Sequence, residues 1–160
     1  MNLREVRKKF GLTQKEVCET IHMPLRTYIR YENDPKYESS YKYQRTINDI
    51  IAAFEVTEDR GILTLKQIKD IVKEVLDTYQ VEYCYLFGSY AKGYASERSD
   101  VDLCIDTETD GFAFYGLVEK LRVSLHKEVD LIRVQGLSNN ITLLREIMKD
   151  GIKIYDKSQR

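Results

Sequence analysis

Tyr85–Ile105 reads YLFGSYAKGYASERSDVDLCI. It begins inside an aromatic and β-branched run, Val81–Phe87, which reads as a strand. The strand delivers Gly88-Ser89 at its end, where the pattern predicts the start of a helix. Glycine lets a backbone approach an anion closely, the first N–H groups of a helix are free to bind one, and the Ser89 hydroxyl adds a donor. After a ten-residue gap come Asp100 and Asp102, in a stretch that alternates as a strand over Asp100–Ile105. Side chains two apart in a strand share a face, so these carboxylates are expected to converge. Converging carboxylates repel unless a cation sits between them, and Mg²⁺ suits one or two carboxylates plus substrate phosphates.

Working outward, Lys127-Glu128-Val129-Asp130-Leu131 reads as the next strand. Asp130 can join the same site if that strand pairs beside Asp100–Ile105. Glu128 shares a face with Asp130, and spacing alone does not choose between them. Helical periodicity surrounds these strands. Thr64 and Gln67 form a capping box ahead of Leu65, Ile68, Ile71, Val72, Val75 and Leu76. Phe112–His126 and Asn139–Lys149 read as helices, and Ile152–Tyr155 as a short last strand. Strands alternating with helices predict an α/β (α+β) domain with a mixed sheet.

The N-terminal third reads as all-α. Leu3, Val6 and Phe10 mark a first helix stopped at Gly11, and Thr13 and Glu16 form a capping box for a second. His22-Met23 is a turn, Pro24 suits the start of a third helix, and Asn33-Asp34-Pro35 ends it. Ser39 or Ser40 can cap a fourth, with Ile47, Ile50, Ile51 and Phe54 on one face. The expected organisation is a helical domain over 1–56, a linker over 57–64 and the α/β domain over 65–160.

Two resemblances follow from these motifs. Gly88-Ser89, the ten-residue gap, Asp100-Val101-Asp102 and the later Asp130 resemble the DNA-polymerase-β-like nucleotidyltransferases, above all the minimal ones, over roughly residues 65–156. Lys92 stands where that family usually has Arg, which keeps the charge and loses bidentate phosphate pairing. The resemblance implies Asp100, Asp102 and Asp130 as catalytic, metal-binding carboxylates, Gly88, Ser89 and Lys92 as nucleotide-binding residues, Mg²⁺ as cofactor and ATP as substrate. The stretch LTQKEVCETIHMPLRTYIRYEN, residues 12–33, resembles the phage-repressor-like helix-turn-helix family. His22 stands where Gly is frequent there, and His enters the left-handed region more readily than most residues. That resemblance implies a recognition helix in the major groove, with Gln14, Arg26, Thr27 and Arg30 as contacts. The alternative for this third is a helical bundle for dimerisation or partner binding.

Together the two resemble the antitoxin half of HEPN/minimal-nucleotidyltransferase toxin–antitoxin pairs. This implies transfer of AMP to a tyrosine of a HEPN ribonuclease toxin, repression at operator DNA, and a homodimer or a hetero-oligomer with the toxin. A small-molecule nucleotidyltransferase and a non-catalytic regulator acting by complex formation are the other readings.

Composition narrows the field without choosing. The chain has 160 residues, 42% hydrophobic and 32% charged, which supports folded domains and argues against disorder. No apolar run is long enough to span a membrane and no secretory signal is legible, so a cytoplasmic protein is expected. Cys18, Cys84 and Cys104 are far apart and read as small buried residues. His22 and His126 read as structural. Net charge is −1 overall, split as +2 over residues 1–56 and −3 over 57–160. A surplus of that size permits a local basic face and does not establish one.

Overall fold

In a computed structural model the chain divides into two compact units, the first Met1–Glu55 and the second beginning at Val56; residues 1–159 are described. The first unit contains four α-helices, α1 (Leu3–Lys9), α2 (Gln14–Thr20), α3 (Leu25–Asn33) and α4 (Tyr41–Phe54), with a 3-10 turn at Pro35–Tyr37. Asn2, Thr13 and Ser40 cap α1, α2 and α4, each accepting a first-turn N–H that would otherwise be unpaired. His22 closes the turn between α2 and α3 with φ +53°. Pro24 lies just before α3 rather than inside it, its carbonyl accepting from Thr27 and Tyr28. Leu3, Val6, Val17, Tyr28 and Ile50 are fully buried and form this unit's core.

In the second unit, α5 (Leu65–Leu76) precedes a four-stranded sheet of order β3-β2-β1-β4. The strands are β1 (Val81–Phe87), β2 (Val101–Thr107), β3 (Val129–Arg133) and β4 (Ile152–Asp156). β1 is antiparallel to β2 and β4, while β2 and β3 run parallel. A parallel pair needs a long crossover, which α7 (Gly111–Leu125) supplies. The short α6 (Gly88–Lys92) follows β1, and α8 (Ile141–Asp150) links β3 to β4.

The two faces of the sheet differ. Cys84 and Leu86 of β1 and Val101, Leu103 and Ile105 of β2 are fully buried in one core with Ile68, Val72, Leu117 and Leu121 of α5 and α7. The alternate residues, Tyr85, Phe87, Cys104 and Ile132, meet Leu143 and Ile147 of α8 in a smaller cluster. Asp102 and Asp130 belong to this second face by strand alternation. Residues 57–64, expected as a linker from their polar composition, instead fold with the second unit. Thr57 and Arg60 form a β-bridge, and Leu63 is buried in the larger core. All three cysteines are free and buried.

Candidate active site

β1 ends at Phe87, opposite Asp102 of β2, and the chain turns at once through Gly88 with φ +66°. A Cβ on Gly88 would lie 2.1 Å from Asp102 Oδ2. The Asp102 carboxylate thus occupies the space that any other residue at position 88 would fill. Ser89 and Lys92 follow on α6, which Gly93 closes in the left-handed conformation.

Across the parallel pair, Asp102 is in register with Asp130, so both side chains rise from the same face. Asp100 lies one residue before β2 and is exposed; Asp130 is also exposed, and Asp102 is half-buried. Burial, and then repulsion from Asp130, Asp100 and Glu146, raises the Asp102 carboxyl from its usual 3.8 to about 6, with Lys92 opposing. The three carboxylates singled out in the sequence therefore share one electrostatic neighbourhood. Glu128 lies outside β3 and pairs with Arg122 at 3.5 Å, and Asp130 is the residue whose charge bears on Asp102.

Glu146 adds a further carboxylate that the sequence does not single out. It projects from α8 and holds the Lys92 ammonium at 2.5 Å. Its position in an amphipathic helix carries no local signal, since only the crossover of α8 over the sheet brings it to α6. Among the described residues, no group of three or more His, Cys, Asp or Glu side chains is gathered closely enough to hold a metal ion by itself. The donor set nevertheless fits a hard divalent cation. Two neighbouring carboxylates whose repulsion already favours a proton can supply part of its shell, with phosphate and water oxygens supplying the rest.

In the first unit, Arg26 and Arg30 lie four apart on α3 and are exposed, which places them on one side of the helix. Arg30 also sits 5.5 Å from the Tyr37 ring centroid. Thr27 and Gln14 are half-buried. Burial pushes the Glu32 carboxyl up, but Arg7 outweighs it and, with a contribution from Gln14, holds the group below the usual range. The Glu32 side chain is 1% exposed and accepts from Arg7 at 2.7 Å and Arg4 at 3.3 Å, locking α3 to α1. Gln14 is thus engaged inward, whereas Arg26 and Arg30 stand free of ion pairs among the described residues.

Residues 66–160 match the family model described as "Polymerase beta, Nucleotidyltransferase", and residues 3–43 match a helix-turn-helix model. The protein adenylyltransferase MntA of Thermococcus cleftensis is 37% identical over 96 residues, which span 55% of this chain and 97% of that protein. MntA of Shewanella oneidensis, also named a protein adenylyltransferase, is 30% identical over 93 residues, 56% of this chain and 65% of its own length. A crystal structure described as a toxin–antitoxin with AMP-PNP shares 25% identity at a TM-score of 0.49, covering 57% of this chain and 75% of that one. With a family match over more than half its length and the Gly88–Asp102–Asp130 arrangement in place, the chain belongs to the polymerase beta nucleotidyltransferase family and is a nucleotidyltransferase with an N-terminal helix-turn-helix.

Proposed function

We propose that the chain is an antitoxin-type protein adenylyltransferase. It transfers AMP from ATP, with Mg²⁺, to a tyrosine hydroxyl of a HEPN-type ribonuclease toxin, and its helix-turn-helix represses the operon that encodes both. The carrying observation is the Asp102 carboxylate leaning over Gly88 in register with Asp130. The activity named for the Thermococcus and Shewanella relatives supports protein as the acceptor class.

The chemistry is a displacement at the α-phosphorus. The acceptor oxygen forms a new bond to phosphorus, the bond to the bridging oxygen breaks, and pyrophosphate leaves. Asp100, Asp102 and Asp130 would hold Mg²⁺, which when bound neutralises phosphate charge and polarises the reacting phosphoryl group. Gly88 admits a phosphate near the backbone because it has no side chain, and the Ser89 hydroxyl donates to a phosphate oxygen. Lys92 leaves Glu146 to pair with the triphosphate. Asp130, exposed and beside Asp102, accepts the acceptor's proton. Positioning and charge neutralisation supply most of the rate enhancement. On the other unit, Arg26 and Arg30 are the side chains free to contact DNA bases or phosphates, with Thr27 beside them in the first turn of α3, while Gln14 is drawn toward Glu32.

The test is incubation with Mg²⁺, ATP labelled at the α-phosphate and lysate of the source cells, with Asp102→Asn in parallel. A labelled polypeptide that disappears with the variant is expected. Label confined to a small molecule, or label unaffected by Asp102→Asn, overturns the assignment.

A further inference from the structure

Lys127 is the most unusual charged residue in the second unit. It is 1% exposed, and among the described residues it makes no ion pair. Its ammonium instead donates to two backbone carbonyls, those of Glu58 at 3.2 Å and of Glu97 at closer range. A buried ammonium is costly to desolvate, and an apolar side chain of the same volume would fill the space at lower cost. What the ammonium provides is a tie between three separate segments.

One is the turn Thr57–Arg60, which is itself bridged and whose Gly61 N–H reaches the Glu97 carboxylate at 3.4 Å. The second is the loop between α6 and β2, which ends at Asp100. That loop is folded locally by the Ser96 N–H donating to the Ser99 hydroxyl at 2.8 Å. The third is the entry to β3. There the Val101 N–H donates to the Glu128 carbonyl at 2.9 Å, and the next pair along the ladder is Asp102 with Asp130. The carboxylates are thus carried on two segments whose starting points meet at one buried lysine.

We propose that Lys127 is a positioning residue for the metal-binding carboxylates, its ammonium fixing the loop that delivers Asp100 and Asp102 against the strand that delivers Asp130. This rests on the assignment of those carboxylates to a divalent cation. Outer residues that orient metal ligands typically change metal affinity by 10–100-fold when removed. Lys127→Met keeps the aliphatic length and removes the donors. Arg122→Ala is the control, because Arg122 joins the same neighbourhood through exposed ion pairs to Glu58 and Glu128 at 3.6 and 3.5 Å.

The experiment measures Mn²⁺ binding directly, by loss of the free-ion electron paramagnetic resonance signal, with melting curves on each sample. Lys127→Met is expected to melt cooperatively and to need roughly 10–100 times more Mn²⁺ for half-saturation. Lys127→Arg is expected to fall between it and the unaltered protein, and Arg122→Ala to match the unaltered protein. Unchanged Mn²⁺ binding in a folded Lys127→Met, alongside weakened binding in Asp102→Asn, overturns the positioning role and leaves the site intact. Unchanged binding in Asp102→Asn overturns the site itself. Failure of both Lys127 variants to fold makes the residue a general structural one and also overturns the proposal.

Discussion

Gly88 opens and Gly93 closes the same short helix, and both have positive φ, +66° and +80°. Their surroundings differ: a Cβ at 88 would lie 2.1 Å from Asp102 Oδ2, while one at 93 would meet nothing within 4 Å. Gly88→Ala and Gly93→Ala therefore share the backbone penalty of the left-handed region, about 1–2 kcal/mol. Only the first also forces a carboxylate aside. For a domain of this size that shared cost corresponds to a melting temperature lowered by roughly 4–16 °C in both. A carbon and an oxygen need more than 3 Å between them, so Asp102 must retreat by about 1 Å or more in Gly88→Ala. Misplacement on that scale costs about 100-fold in rate. Melting curves and a nucleotidyl-transfer assay on the two variants read the terms separately. Comparable melting temperatures with activity lost only in Gly88→Ala are expected. Equal activity in both would refute the argument that Gly88 is required to make room for Asp102.

Three further outcomes follow from ion pairs and exposed charges. Because Glu146 occupies Lys92 at 2.5 Å, Glu146→Gln frees the ammonium and should lower KM for the nucleotide with kcat little changed, while a raised KM would show that the pair orients Lys92 instead. Glu32→Gln removes the charge that Arg7 meets at 2.7 Å inside the first unit, and weakening a part-buried pair of this kind costs about 1–3 kcal/mol, read by denaturant unfolding of that unit. Arg26→Ala and Arg30→Ala should each weaken DNA binding, and a variant that loses a phosphate contact should reduce the slope of log affinity against log salt by about 0.9; unchanged slopes and affinities in both would remove α3 from the interface.

The helices were legible wherever a cap and a periodic apolar face coincided, as at Thr13–Glu16 and Thr64–Gln67, because both signals are local. The sheet was legible as strands but not as an order. The parallel pairing of β2 with β3, which joins Asp130 to Asp102, depends on α7 packing over the sheet rather than on either strand. Asp100, Asp102 and Asp130 stand out as candidates from alternation and spacing, while the placement of Asp130 rather than Glu128 beside Asp102 required the register. Glu146 and Lys127 were not legible at all. A glutamate in an amphipathic helix and a lysine before a strand are ordinary residues until the fold brings Lys92 to the one and closes Glu58 and Glu97 over the other. The folding of residues 57–64 with the second unit is hidden from the sequence for a related reason. Thr57-Glu58-Asp59-Arg60-Gly61 is polar enough to read as a linker, yet its backbone supplies an acceptor that the buried lysine needs.

With the proposed role of Asp102, its electrostatics set activity and stability in opposition at a single residue. Its carboxyl rises from 3.8 to about 6 in the folded protein, through burial first and then repulsion from Asp130, Asp100 and Glu146. The folded state therefore binds this proton more tightly than the unfolded chain does. The contribution of this group to stability increases as pH falls from about 6 toward 4, the reverse of a salt-bridged carboxylate such as Glu32. At neutral pH the ionised group is a liability. A shift of this size corresponds to about 3 kcal/mol at full strength, and solvent screening of a half-exposed side chain reduces that to roughly 1–2 kcal/mol. Asp102→Asn removes the charge with little change of shape. It should raise the stability of the metal-free protein by that amount at pH 7 while abolishing nucleotidyl transfer. The gain should shrink as pH approaches 4, where the unaltered residue is already neutral in the folded state. If Asp102 is a metal ligand as proposed, added Mg²⁺ should stabilise the unaltered protein and leave the variant nearly unmoved. Melting temperatures across pH, with and without Mg²⁺, test each step. A variant less stable than the parent at pH 7 without metal would show that Asp102 is held by partners it needs rather than by charges that repel it.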